Sequence, residues 1–251
     1  MERLFDCSVD TDLLTGMRLA KIALQREQLV VLPTDTVYGI AADAFSAAAV
    51  ANLLAAKGRD RQSPPPVLIS KAATMAALAE SVPAVANKLA QAFWPGALTM
   101  ILRAQASLHW DLGETKGTVA LRVPDHKIAI ALLEETGPLA VSSANLTGQP
   151  AATNCQAAAD YLGKSVEVYL DAGDSPKGES STILDLTGIQ ESLDTDGNPV
   201  VTGKIRLVRL GALSLEQIAL VAGDLLAGPD EVSANNSATN YPVAGTDEAA
   251  N

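Results

Sequence analysis

The stretch VVLPTDTVYGIAADAF, residues 30–45, places two apolar runs on either side of a polar loop. The apolar runs have the length and composition of buried strands, and the proline, aspartate and glycine between them are turn formers. The stretch therefore predicts two strands, 29–33 and 39–45, joined by a tight connection. Its threonine and tyrosine hydroxyls leave a second interpretation open, in which the loop lies at the mouth of a binding cleft.

The pattern on both sides of this stretch alternates between helices and strands. Asp10 or Thr11 is expected to cap the first helix and Ser46 the second, with Gly58 following the second helix. Mixed strands and helices predict a single α/β domain with a mixed β-sheet flanked by helices, and 194–203 a hairpin or loop insertion. The predicted helices are 9–27, 46–56, 71–92 with a break at Pro83, 126–136, 154–162 and 214–222; the further strands are 67–69, 97–103, 118–123, 139–142, 166–170, 181–187 and 204–210.

Composition narrows the class of protein. The 251 residues are 48% apolar, as expected for a globular protein with a sizeable core, and the sequence shows neither a membrane span nor a signal peptide. Cys7 and Cys155 form no metal or disulfide pattern, which favours a cytoplasmic location. Residues 1–223 are predicted to be the catalytic domain and the acidic, polar residues 224–251 a disordered tail. The net charge of −11 argues against broad nucleic-acid binding, although the 18 lysines and arginines could still gather in one cleft.

Histidine-based chemistry is not expected. The two histidines, His109 and His126, have no evident zinc or triad partner, and both are predicted to be surface residues. Gly163-Lys164-Ser165 lacks the leading glycine of a phosphate-binding P-loop and is interpreted as a helix terminus.

Basic residues beside turns are more informative. Lys57 and Arg59 are two residues apart, and in an extended stretch this spacing puts both on one side, where they would suit a polyphosphate. The alternative is that they only stabilise the end of a helix. On the strand 118–123, Thr118 and Arg122 share a face, and Arg122 either meets an anion or pairs with an acidic neighbour on an edge strand.

Polar clusters flank three of the predicted strands. Ser142-Ser143-Ala144-Asn145 follows one, Ser180-Ser181-Thr182 precedes another, and Arg209 closes the last. Each could be an ordinary turn, but α/β proteins usually bind ligands at such places. Together with the separate cations they predict an acidic substrate held by hydroxyls, backbone N–H groups and Arg or Lys.

The ordered set of motifs resembles the YrdC-type L-threonylcarbamoyladenylate synthases over about residues 10–220. The motifs are PTDTVYG at 33–39, Lys57-x-Arg59, WPGALT at 94–99, the strand 118–124, SSAN at 142–145, SST at 180–182 and Arg209-x-Gly211. The resemblance implies the short form of the family, a twisted mixed sheet and a concave, positively lined cleft. It also implies synthesis of threonylcarbamoyl-AMP and pyrophosphate from L-threonine, bicarbonate and ATP with Mg²⁺. Other proteins would then use this product to make the t6A base of tRNA.

The resemblance also implies roles for individual residues. Thr36, Arg122, Ser142 and Ser181 match positions that hold threonine. Lys57 and Arg59 would be catalytic as well as nucleotide-binding, and no metal ligand is implied. The positions that match the ATP side are Lys57, Arg59, Ser63, Thr118, Ser143, Asn145 and Arg209.

The segment KGRDRQSPPPVLIS, residues 57–70, departs from the family pattern. Asp60 replaces a proline, Ser63 an asparagine, and Leu68 or Ser70 stands near the place of a histidine. Two alternatives therefore stay open. One is a family paralogue with another carbamoyl or nucleotide substrate, and the other a non-catalytic module that binds tRNA or double-stranded RNA.

Overall fold

The two apolar runs around the polar loop form an antiparallel pair of strands, as predicted. The structure is a computed structural model that describes residues 4–227. Val30 lies opposite Ala41 and Leu32 opposite Gly39, so that residues 33–38 form the connection. The strands are β1 Leu4–Asp6, β2 Val30–Leu32, β3 Gly39–Asp43, β4 Val67–Leu68, β5 Leu98–Arg103, β6 Thr118–Arg122, β7 Leu139–Ser143, β8 Val168–Asp171, β9 Thr182–Asp185, β10 Gln190–Leu193, β11 Pro199–Thr202 and β12 Arg206–Arg209.

Helices cover both faces of one half of the sheet. The helices are α1 Asp10–Gln25, α2 Ala47–Lys57, α3 Met75–Leu78, α4 Ala84–Phe93, α5 Lys127–Thr136, α6 Cys155–Leu162 and α7 Leu215–Ala222. Strand residues alternate between the two faces. Val31 and Ile40 pack with residues of α2 and α6, whereas Val30 and Ala41 pack with α1 and α5. This half of the sheet is therefore the centre of three layers.

Ten strands form one mixed sheet in the order β1-β8-β2-β3-β7-β4-β6-β5-β9-β12. The single α/β domain with a mixed sheet is thus confirmed. In the other half, α3, α4 and α7 pack against one face only. The opposite face carries a small cluster of Ile101, Ala120 and Ile183, so polar side chains on this open face remain accessible to a ligand.

The ends of α2 agree with their sequence signals, whereas the start of α1 does not. Ser46 caps α2 by accepting the N–H of Ala49, and Gly58 ends it in the left-handed conformation, as predicted. The predicted cap of α1 is wrong, because Val9 holds that place and no side chain caps the helix. Strand β1 was not predicted.

The predicted hairpin is confirmed as β10 and β11, which form a separate two-stranded sheet. The predicted tail lies outside the described residues from 228 onward, so its disorder and the domain limits stay predictions. Among residues 4–227, no helix is long and apolar enough to cross a membrane.

Candidate active site

The polar loop between β2 and β3 is stabilised by hydrogen bonds of its own threonine hydroxyls. Thr34 Oγ1 donates to the carbonyl oxygen of Val37 at 2.7 Å, and the Oγ1 atoms of Thr34 and Thr36 lie 3.0 Å apart. Because the Thr34 hydroxyl already donates its hydrogen to Val37, Thr36 is the donor in the hydrogen bond between the two threonines. Gly39 follows, where an added Cβ would lie 2.6 Å from Val141 Cγ1. The loop therefore sits tightly against β7.

Arg122, at the end of β6, is held by three acceptors. Its Nε donates to Gly96 O at 2.9 Å, Nη1 to Thr36 Oγ1 at 2.9 Å and Nη2 to Asp35 Oδ1 at 2.5 Å. Two interpretations of Arg122 were left open, an ion pair with an acidic neighbour and a contact with an anion. Arg122 pairs with Asp35, and it also lines a cavity that could hold a ligand. It does not lie on an edge strand, since β6 is between β4 and β5.

Lys57 is buried behind the Ser142–Asn145 segment. Its Nζ donates to the carbonyl oxygens of Ser143 and Asn145, the latter at 2.7 Å. The prediction that Lys57 and Arg59 lie on one side is wrong, because Lys57 ends α2 and the left-handed Gly58 turns the chain before Arg59. Burial, and secondarily the charge of Arg59, lowers the pKa of Lys57 to about 7. A neutral amine still has two N–H bonds, enough for both carbonyls.

Arg59 and Arg209 are held by serines on or beside different strands of the cleft wall. Arg59 Nη1 donates to Ser142 Oγ at 3.2 Å, while Arg209 donates to the carbonyl oxygen and to Oγ of Ser181. Ser181 Oγ also lies 2.8 Å from Thr99 Oγ1. Burial and then the charges of Arg122 and Arg59 lower the pKa of Arg209 to about 10. All three arginines line the same inner cavity.

The cavity on the open face unites most of the predicted site. Its walls come from consecutive strands of the sheet, β3 to β12, and from the loops at their ends. An adjoining outer cavity contains Ser63 and Asn145 and shares Arg59, Ser143 and Arg209 with the inner one. The predicted residues that line the inner cavity are Thr36, Arg59, Arg122, Ser142, Ser143, Ser181 and Arg209.

Two predicted residues do not line either cavity. Lys57 lies behind the wall, and Thr118 lies at the far end of β6, about 13 Å along the strand from Arg122. Thr118 Oγ1 donates to the carbonyl oxygen of Thr115. Lys57 thus stabilises the Ser143–Asn145 wall of the cavity. The position of Thr118 does not favour a contact with the nucleotide.

The histidines differ in exposure. His109 is exposed, as predicted, but His126 is half-buried, so its predicted surface position is wrong. His126 precedes α5, and its buried Nδ1 has no hydrogen-bond partner among the described residues. Burial lowers the pKa of His126, against the attraction of Asp35 and Asp125.

Sequence reasoning missed several residues of the cleft. Asp35 holds Arg122, and Thr99 holds Ser181, although both are part of motifs that were recognised. Leu68 lines the inner cavity at one of the two places considered for the absent histidine. The available signal for Asp35 was a carboxylate between two threonines in a loop flanked by apolar runs.

Replacing Lys57 with methionine should lower the free energy of unfolding by about 2–4 kcal/mol, because two buried carbonyl oxygens lose their donor. Urea unfolding followed by circular dichroism measures this loss. Lys164→Met is the control, since Lys164 is exposed and should tolerate the change. Equal midpoints for the two variants would contradict the supporting role of Lys57.

The fold and the cleft define a class of protein, namely an α/β domain whose open sheet face gathers three arginines and a ring of hydroxyls. The model of the family of Sua5, YciO and YrdC proteins, with the description "Telomere recombination", matches residues 22–193. The chain therefore belongs to the Sua5/YciO/YrdC family.

Several relatives match most of the chain. A protein from Mycobacterium leprae is 48% identical over 223 residues, which are 89% of this chain and 95% of that one. The threonylcarbamoyl-AMP synthase of Pyrococcus abyssi is 35% identical over 215 residues, covering 85% of this chain and 59% of that one. The crystal structure of P. abyssi Sua5 complexed with L-threonine superposes with a TM-score of 0.76 at 30% identity, over 96% of this chain and 66% of that one.

Proposed function

We propose that the protein is an L-threonylcarbamoyladenylate synthase. L-Threonine and bicarbonate condense to a carbamate with loss of water, and a carbamate oxygen then attacks the α-phosphorus of ATP. Threonylcarbamoyl-AMP forms and pyrophosphate leaves, which makes the enzyme a nucleotidyltransferase. The product is the activated group that tRNA-modification proteins need for t6A.

The observation that carries this proposal is the hydrogen-bond capacity left at Arg122 and Thr36. Arg122 uses three of its five N–H donors inside the protein, and two remain for a carboxylate. Thr36 Oγ1 gives its hydrogen to Thr34 and accepts from Arg122, so only one lone pair is left. That lone pair suits a donor such as an ammonium group. Donors and an acceptor side by side complement the carboxylate and amine of an amino acid.

Arg59 and Arg209 are suited to the nucleotide. Both guanidinium groups line the junction of the two cavities, where they can neutralise phosphate charge. Asn145 lines the outer cavity, and its Oδ1 is buried without a hydrogen-bond partner among the described residues. In-line attack at phosphorus depends on positioning and charge neutralisation more than on a protein base, and the cleft has the residues for both.

Mg²⁺ is proposed to enter as part of the ATP complex. Residues 4–227 contain no group of three acidic, histidine or cysteine side chains that could hold a metal ion. The inner cavity is lined by arginines and hydroxyls without a carboxylate. Glu179 lines the adjoining outer cavity, where it could join phosphate oxygens and water in binding a magnesium ion.

Incubation of the purified protein with ATP, L-threonine and bicarbonate tests the proposal. Pyrophosphate should be released only when all three are present, and the nucleotide product should carry both threonine and the bicarbonate carbon. Mass spectrometry with ¹³C-bicarbonate identifies this product. ATP turnover without threonine, or no turnover, would contradict the synthase activity.

Substrate identity needs a separate measurement, because Leu68 lines the cavity and the 57–70 segment departs from the family pattern. Calorimetry with L-threonine, L-serine and other amino acids decides between the synthase and a paralogue with another substrate. The RNA-binding hypothesis predicts salt-sensitive binding of tRNA or duplex RNA that neither ATP nor threonine displaces. Displacement by both would assign any RNA contact to the same cleft.

A further inference from the structure

The charged groups of the cleft are unevenly paired. At one end the Arg122 and Asp35 side chains form an ion pair while only 7% and 6% exposed. The other end opens into the outer cavity, which Arg59 and Arg209 line and Arg122 does not. Neither Arg59 nor Arg209 has a carboxylate within ion-pair distance among residues 4–227. The first end thus holds a buried cation paired with a buried anion. The second holds two cations without an ion-pair partner, and the exposed Glu179 lines the outer cavity beside them.

Three other ionisable residues lie near Asp35, and none of them adds a buried charge to the Arg122–Asp35 pair. Lys177 Nζ lies 3.9 Å from Asp35 Oδ2, but its side chain is 43% exposed and screened by solvent. Asp125 is also exposed and contributes its backbone N–H to Asp35 Oδ1. His126 is half-buried nearby, and burial lowers its pKa, which disfavours its charged form. Buried charge at this end therefore comes from Arg122 and Asp35.

We propose that Asp35 is a positioning residue that determines specificity: its carboxylate neutralises the Arg122 end of the cleft, so that this end accepts a zwitterionic amino acid and excludes phosphate-like anions. ATP and pyrophosphate are thereby confined to the Arg59–Arg209 end. The proposal rests on the proposed function for the identity of the amino acid, whereas the separation of charge does not.

The physical reason is the cost of like charges in a buried site. Without Asp35, an anion beside Arg122 would be attracted by an uncompensated guanidinium in a medium of low polarity. With Asp35 present, the same anion meets a buried carboxylate as well as the cation. A zwitterion also carries a positive charge, whose attraction to the Asp35 carboxylate offsets the repulsion of its own carboxylate. Rejection of a competitor by unfavourable charge is a common source of specificity.

The Asp35→Asn variant tests the proposal with little change of shape. The amide oxygen can replace Oδ1, which accepts from Arg122 Nη2 and from the Asp125 N–H. The amide nitrogen then replaces Oδ2, which has no hydrogen-bond partner among the described residues. The variant therefore removes one charge and no hydrogen bond.

Calorimetry with inorganic pyrophosphate, alone and in competition with L-threonine, is the measurement. The wild-type protein should bind one pyrophosphate, which competes with ATP and not with threonine. Asp35→Asn should bind a second pyrophosphate that displaces threonine, and its affinity for threonine should fall about tenfold or more. Asp125→Asn, which removes an exposed charge next to the same site, should behave like the wild type.

Three results would overturn the proposal: pyrophosphate that displaces threonine from the wild type, a single pyrophosphate on folded Asp35→Asn, or a second one on Asp125→Asn. The wild-type competition decides even if Asp35→Asn fails to fold. A role of Asp35 in folding alone would lower stability without creating an anion site. If the wild type binds no threonine, the proposed function fails, while the number of bound pyrophosphates still tests the charge separation.

Discussion

Replacing Arg59 with alanine should reduce pyrophosphate release by about 100-fold to 1000-fold, which is the usual effect of removing one group that stabilises transition-state charge. Arg59 lines both cavities and has no carboxylate partner in the described part of the chain, so its charge is available to phosphate. The loss should appear in kcat/KM for ATP, measured with threonine and bicarbonate saturating.

The chain offers a matched control two residues away. Arg61 has a side chain that is 57% exposed and pairs with Asp111 at 2.7 Å. Arg61→Ala should keep nearly full activity, because a solvent-exposed ion pair contributes little and this one lies outside the inner cavity. Equal losses in both variants would show that general positive charge, and not the position of Arg59, supports turnover.

Replacing Gly211 with alanine should abolish threonine binding, with a loss of about 100-fold or more, because misplacement of a site by 1 Å has effects of that size. A Cβ on Gly211 would lie 2.1 Å from the carbonyl oxygen of Ser180 and 2.8 Å from that of Ser181. The backbone must therefore move, and with it the Ser181 groups that hold Arg209. Calorimetry with L-threonine measures the effect.

Gly188→Ala is the control for this variant. The nearest atom to a Cβ at Gly188 is Lys204 O at 3.4 Å, which is an ordinary contact. Threonine should bind to Gly188→Ala as it does to the wild type. If Gly211→Ala keeps wild-type affinity, the Ser180–Ser181 segment is not the rigid wall that its contacts indicate.

The elements with local signals could be predicted from sequence. Helix α2 begins after a serine cap and ends at a glycine, and both signals depend only on neighbouring residues. The polar loop and the hydroxyl clusters were also recognised, since their residue types are unusual between apolar runs. The family resemblance then suggested roles for Thr36 and Arg122, which stay predictions.

Features that depend on distant partners could not be predicted in this way. Lys57 seemed a ligand for phosphate, but its carbonyl acceptors are on β7 and the loop that follows it. The role of Asp35 requires Arg122, which is close only after β6 takes its place in the sheet. Thr118 shares a strand with Arg122, yet the length of that strand separates the two.

The order of the strands also bears on how the protein is made. Strand β8 lies between β1 and β2, and β9 pairs with β5. Strands near the N-terminus therefore pair with strands that are synthesised much later. Such distant pairings predict folding on the millisecond-to-second scale. A nascent chain that already contains Thr36, Arg59 and Arg122 still lacks Arg209. The cavity on the open face is therefore complete only as synthesis of the domain nears its end.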